Sequence, residues 1–148
     1  MIRYLLKLSG PLEELDRAID GTVYTDPITD NLFAYYQFPR RKYFVAELNG
    51  KVVGGAGIAP IENQDENYCE LQKMYLLKEA RGLGIAQELM GKCLDFAKAA
   101  DYELAYLETF DSMTAAQSLY KKFGFDFVDK PLGNTGHFSC NTHMTKVL

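Results

Sequence analysis

The chain is short of the groupings that most metal and disulfide chemistry needs. Its 148 residues hold two histidines, His137 and His143, and three cysteines, Cys69, Cys93 and Cys140, with no CxxC pair. No zinc-type ligand spacing results, so no metal is expected. Three widely spaced thiols argue against a disulfide framework and for free or buried thiols in a reducing cytoplasm. No apolar run approaches the roughly 20 residues that cross a bilayer, which sets a membrane partner aside. The opening Met1-Ile2-Arg3-Tyr4-Leu5-Leu6-Lys7 is too short and too interrupted for a secretory leader. Positive charge is scarce as well: 16 Lys and Arg against 20 Asp and Glu leave a net charge of −4. A nucleic-acid surface is normally basic, so nucleic acid is not the expected partner. Repeats, low-complexity tracts and composition shifts are missing too. Residues 1–148 read as one domain with one core.

What is present is an alternation of strands and helices. Residues 2–8 read as a weak first strand. Leu12, Leu15 and Ile19 then recur at helical spacing behind Pro11, with Glu13 and Glu14 in the first turn. From Gly21 to Arg41 the chain is irregular and rich in rings and acids, a composition suited to wrapping a pocket. Tyr43–Leu48 and Lys51–Val53 flank Asn49-Gly50, a strong hairpin turn. The second strand continues through Gly54–Ala59, whose glycines admit a bulge or the close approach of another group. A polar loop from Glu62 to Asn67 leads to a strand over Tyr68–Leu77. Farther on, Ile85, Ala86, Leu89, Met90, Cys93, Leu94 and Ala97 share one helical face. Leu104–Thr109 is the next strand. A helix over Ser112–Lys122 follows, capped by Asp111 or Ser112, with Ala115, Ala116, Leu119 and Phe123 inward. Phe125–Val128 and Phe138–Val147 close the order as two strands. This is an α/β pattern with hairpins at both ends and a parallel crossover in the middle.

Between the strand ending at Leu77 and the long helix stands Arg81-Gly82-Leu83-Gly84-Ile85-Ala86. A glycine-rich strand-to-helix turn gathers backbone N–H groups at the positive end of a helix dipole, which suits phosphate. A P-loop would need GxxxxGK[ST], and no Lys-Ser or Lys-Thr pair follows. A dinucleotide fingerprint would need a third glycine where Gln87 stands. What remains is R/Q-x-x-G-x-G/A, met by Arg81, Gly84 and Ala86. Farther along, Ala116, Leu119, Tyr120, Gly124 and Phe125 spell A-x-x-L-Y-x-x-x-G-F. With these two motifs in this order, the chain resembles the GNAT superfamily of N-acetyltransferases, well over residues 43–128. Two positions depart from the family pattern. Lys78 replaces a frequent proline, and Met113 replaces an asparagine that in many members contacts the pantetheine arm; that contact is either lost or taken by Ser112 or Thr109.

The resemblance implies a GNAT-like α/β fold: a mixed, mostly antiparallel central sheet with a splayed parallel strand pair and flanking helices. It implies acetyl transfer from acetyl-CoA to a primary amine by direct attack in a ternary complex. The pyrophosphate would sit on the backbone of Gly82, Leu83, Gly84, Ile85 and Ala86, with Arg81 at the mouth. Backbone groups of Met74, Tyr75 and Leu76 would pair with the pantetheine arm, and the Leu76 N–H is the candidate to hold the thioester oxygen. Tyr120 is the expected general acid, since a phenol with a pKa of roughly 10 stays protonated at neutral pH. Glu70 is the expected base, and Glu108 is a second acidic candidate or the partner of a buried positive group. The acceptor pocket would draw on Tyr24, Asp26, Tyr35 and His137, with Asp30, Tyr36 and Glu62 near by. Rings and acids together suit a cationic amine. A polyamine-like molecule, an amino sugar, an amino acid and a protein lysine all answer that description. Two rival readings are a non-catalytic acyl-CoA-binding sensor of the same fold and a domain holding ATP or a dinucleotide at Arg81–Ala86. The closing strands offer an edge to a second copy, which makes a homodimer a candidate assembly.

Overall fold

The computed structural model describes residues 2–4, 32–62, 64–133 and 141–148. The hairpin expected at Asn49-Gly50 is present. Strands β2 (Lys42–Leu48) and β3 (Lys51–Pro60) pair antiparallel about a turn whose two residues have φ of +52° and +80°. Such a left-handed pair matches the twist of the flanking strands. To this hairpin β1 (Ile2–Tyr4) adds on one side and β4 (Tyr68–Leu76) on the other, both antiparallel. β5 (Leu104–Thr109) lies parallel to β4, and β7 (Thr142–Val147) and β6 (Asp126–Val128) complete the sheet antiparallel. The order is β1-β2-β3-β4-β5-β7-β6, seven strands with a single parallel step. That step requires a crossover, and α2 (Ile85–Ala99) supplies it. Two shorter helices are α1 (Leu32–Tyr35) and α3 (Thr114–Lys122). The mixed, mostly antiparallel sheet expected from the sequence is the one observed. The helix expected behind Pro11 lies outside the described residues, as does the start of the last strand at Phe138. No helix among the described residues is long and apolar enough to cross a membrane.

α3 corrects two expectations. Neither Asp111 nor Ser112 caps it; Met113 holds the N-cap position and no side chain bonds the first turn. Its entry is held by neighbours instead. Asn141 Oδ1 accepts the Asp111 N–H at 2.8 Å, and the Phe110 carbonyl accepts both the Met113 N–H at 3.0 Å and Gln117 Nε2 at 2.8 Å. The inward face also turns differently. Ala115 is exposed, Ala116 and Phe123 only flank the core, and the buried residue of the helix is Tyr120.

The sheet has two unlike faces. On one, Leu89, Met90, Cys93 and Ala97 of α2 pack against Phe44, Ile58, Cys69, Leu71, Ala105 and Leu107. Truncating a fully buried leucine such as Leu89 costs about 2–5 kcal/mol in settings of this kind. Strand alternation sends Tyr43, Val45, Glu70, Gln72 and Tyr106 to the other face, and all five are buried there as well. β3 makes room for them with glycine. A Cβ on Gly57 would lie 2.5 Å from Tyr36 Oη and 2.7 Å from Tyr43 Cδ2. The two rings therefore rest directly on the strand, 5.3 Å apart. Their hydroxyls donate across the sheet, Tyr36 to Gln72 Oε1 at 2.7 Å and Tyr43 to the Lys73 carbonyl at 2.8 Å.

Candidate active site

The parallel step is incomplete, and the site begins where it fails. β4 and β5 pair at Tyr68–Leu104, Cys69–Ala105 and Glu70–Tyr106, and no farther. Beyond that row β4 runs on to Leu76 and β5 to Thr109, unpaired with each other. The cause is local. The β3–β4 register shifts between Gly55 and Gly57, and opposite that shift Lys73 has a φ of +50°. An extra residue of this kind sharpens the twist of its strand and turns the end of β4 away from β5. The opening is lined by backbone. The Leu77 N–H donates to the Val53 carbonyl at 2.7 Å. Antiparallel residues alternate between facing their partner and facing away. The amide one residue earlier, at Leu76, consequently faces the β5 side.

From β4 a single 3₁₀ turn, Lys78–Ala80, leads into the glycine stretch. Ala80 and Ile85 are buried and anchor its two ends, while Arg81, Gly82, Leu83 and Gly84 are exposed. Gly82 and Gly84 have φ of +77° and +79°, where a side chain costs about 1–2 kcal/mol. A Cβ on either would meet nothing within 4 Å. Backbone conformation, rather than packing, therefore demands glycine here, and the space above the turn is open. Gly84 is the N-cap of α2, and its carbonyl accepts the Glu88 N–H at 3.1 Å. The amides before Glu88 have no intrahelical acceptor and lie at the positive end of the helix. An anion fits this cradle.

The polar groups gather at the closed end of the opening. Glu70 is 2% exposed in the last paired row, directly across from Tyr106. The Tyr106 hydroxyl donates to Glu108 Oε1 at 2.6 Å, and His143 Nδ1 lies 3.1 Å from the Tyr106 hydroxyl oxygen. Burial, then the bond to Glu108, holds the Tyr106 phenol far above its ordinary pKa. Burial and the neighbouring Tyr43, Tyr35 and Glu70 do the same for Tyr36. Both hydroxyls are thereby fixed as proton donors.

The remaining expected residues divide. Met74, Tyr75 and Leu76 are half-buried at the end of β4, the side chains of Met74 and Leu76 packing on the core. Tyr120 is buried in the last turn of α3, its ring edge-on to Phe125 at 6.2 Å. Met113, where asparagine was the family expectation, is exposed and its sulfur receives the Thr109 hydroxyl at 3.6 Å. The Tyr35 ring already carries the Arg41 guanidinium at 4.2 Å and stands edge-on to Tyr36. Tyr24, Asp26 and His137 lie outside the described residues. Sequence reasoning did not single out Gln72, Tyr106 or His143. For Tyr106 the available signal was its i, i+2 spacing from Glu108, which puts both on one face of a strand.

The profile of the Acetyltransferase (GNAT) family matches residues 11–125. The chain belongs to this family. An uncharacterized Escherichia coli K12 N-acetyltransferase, YjgM, is 40% identical to it over 128 residues, which is 86% of this chain and 77% of YjgM. N-acetylaspartate synthetase of Xenopus tropicalis is 38% identical over 94 residues, 64% of this chain and 34% of that protein. The GNAT chain thus spans about a third of the length of that vertebrate relative. Among solved structures, a GNAT acetyltransferase from Staphylococcus aureus Mu50 superimposes with a TM-score of 0.85 at 23% identity, covering 100% of this chain and 99% of that one. A Sinorhizobium meliloti phosphinothricin acetyltransferase, solved with acetyl-CoA, gives 0.77 at 18% identity, covering 100% and 88%. The GNAT fold and membership of an acyltransferase family are therefore established for this chain.

Proposed function

We propose that this GNAT domain transfers an acetyl group from acetyl-CoA to a primary amine by direct attack within a ternary complex. The observation that carries the reading is the β4–β5 opening, set immediately before an open glycine cradle at the start of α2. Acetyl-CoA supplies an acyl group activated as a thioester. The chain supplies the rest. Amides from Gly82 to Ala86, with Arg81 beside them, hold pyrophosphate, and the backbone of Met74, Tyr75 and Leu76 pairs with the pantetheine arm as an added strand would. The Leu76 N–H holds the carbonyl oxygen, a task that one such donor performs to the extent of ~3–4 kcal/mol. Tyr120 keeps its phenolic proton for the departing sulfur. Glu70, a carboxylate at the closed end of the opening, takes the proton of the acceptor amine. We place the enzyme in the cytoplasm, as one domain whose buried thiols Cys69 and Cys93 are free. The test is thiol release from acetyl-CoA against a panel of small amines and lysine peptides. Amine-dependent release is expected. Binding of acetyl-CoA with no release for any amine would favour the sensor reading, and calorimetry without heat would refute both.

A further inference from the structure

We propose that His143 is an acceptor-binding residue whose Nε2 lone pair takes a hydrogen bond from an N–H or O–H of the acceptor other than the reacting amine. Tyr106 and Glu108 act as its positioning residues, and the inference rests on the acetyl-transfer reading above. A carboxylate only accepts, so the single proton of the Tyr106 hydroxyl goes to Glu108 Oε1, 2.6 Å away. The hydroxyl oxygen is then left with lone pairs toward His143 Nδ1 at 3.1 Å. Two lone pairs do not bond, so the nitrogen carries the proton and donates it. A neutral imidazole with its proton on Nδ1 has a lone pair on Nε2, pointing away from Tyr106. The imidazole also lies nearly parallel to the Tyr106 ring, 10° between planes, which fixes its orientation.

Placement gives this lone pair a use. His143 is the register partner of Glu108. Glu108 stands two residues beyond Tyr106, in the part of β5 that has left β4. The group therefore lies on the β5 wall of the opening, on the face that carries Glu70 and Gln72. Its side-chain exposure is 13% for the imidazole against 3% for Glu108, and Tyr106 is fully buried, so the imidazole is the most exposed member of the chain. An acceptor with a second donor group, such as a diamine or an amino alcohol, matches it better than a simple alkylamine.

Two readouts test this, one without turnover. Nitrogen NMR of histidine-labelled protein, assigned with a His143→Phe variant, should report the Nδ1–H tautomer, and added ethanolamine should shift Nε2 but not Nδ1. A proton on Nε2, in the other neutral tautomer or in the imidazolium, would overturn the proposal even in an active enzyme. In kinetics, His143→Phe should raise the KM for ethanolamine and 1,3-diaminopropane about tenfold, the scale of one lost hydrogen bond. The KM for propylamine and for acetyl-CoA should stay within about twofold. His143→Gln, which restores an acceptor oxygen, should recover most of the loss. Equal losses for propylamine and ethanolamine would overturn the proposal. If the wild type acetylates none of these amines, the acetyl-transfer reading fails on these probes, and the tautomer decides the inference separately.

Discussion

Gly84 and Gly91 belong to the same helix, and the same substitution should move their stabilities in opposite directions. Gly84 is the N-cap of α2 at φ +79°, and Gly91 lies in the interior of that helix. A Cβ at either position meets nothing within 4 Å, so packing is removed from the comparison and only backbone conformation is left. Alanine at 84 must hold a left-handed conformation, at a cost of about 1–2 kcal/mol. Alanine at 91 replaces the poorest ordinary helix former with the best, a gain of about 1 kcal/mol. The two variants should then differ by about 2–3 kcal/mol. At roughly 2–4 °C per kcal/mol for a chain of this size, thermal unfolding followed by circular dichroism should separate them by about 4–12 °C. Acetyl-CoA affinity gives the second axis. Gly84→Ala puts a methyl group into the open space over the turn and should weaken binding in calorimetry, whereas Gly91→Ala should not. Equal unfolding temperatures would refute the claim that backbone conformation selects glycine at 84. Unchanged affinity in Gly84→Ala would refute the claim that phosphate rests there.

Tyr120→Phe keeps the ring against Phe125 and removes only the hydroxyl, so kcat should fall about 10²–10⁴-fold while calorimetry shows acetyl-CoA binding retained. Gly57→Ala would drive its methyl into Tyr36 and Tyr43, and unfolding should show a loss of about 1–3 kcal/mol. Burial lifts the Cys69 thiol from 9.0 to about 12 and raises Cys93 as well. A folded-state pKa above the unfolded one means that stability is full below about pH 9 and is lost as pH rises toward 12. Denaturant titrations across that window should show the decline, and Cys69→Ala with Cys93→Ala should lessen it, the raised Tyr36 and Tyr106 phenols supplying what remains above about pH 10. Hydrogen exchange separates neighbouring amides: Leu77, bonded to Val53, should be slow in the free protein, and Leu76 fast until acetyl-CoA is added. A Leu76 amide already slow without the ligand would contradict its assignment to the carbonyl oxygen.

Much of this arrangement was legible in the chain because local rules govern it. Asn49-Gly50 specifies its own turn, and the apolar face of α2 is written in the spacing of Leu89, Met90, Cys93 and Ala97. The glycine turn was legible for the same reason, since positive φ at 82 and 84 leaves few other residues possible. What escaped depends on register. Nothing in the sequence near His143 says that it faces Glu108, because the pairing of β7 with β5 is set by the sheet as a whole. The cap of α3 escaped because Asn141, thirty residues away in sequence, binds the Asp111 amide. Tyr120 was named from its motif, yet its burial ran against the expectation that alanines and leucine would face the core.

The physical economy of the site follows from the same divergence of β4 from β5. A closed parallel pair would satisfy the amides beyond Glu70 within the sheet and leave nothing for a ligand to bind. Opening it forfeits a few ladder bonds, each with a net value of about 0.5–1.5 kcal/mol. The sheet tolerates the loss because β4 stays fastened to β3 along nearly its whole length, and Tyr43 ties down the carbonyl of Lys73 at the bulge. Gly55 and Gly57 belong to that fastening, since only without side chains can β3 admit the ring that reaches Lys73. Residues remote from the chemistry therefore set the width of the opening. Enlarging either glycine should disturb the bulge through Tyr43, and with it the direction of the Leu76 amide, before it touches any group that contacts substrate.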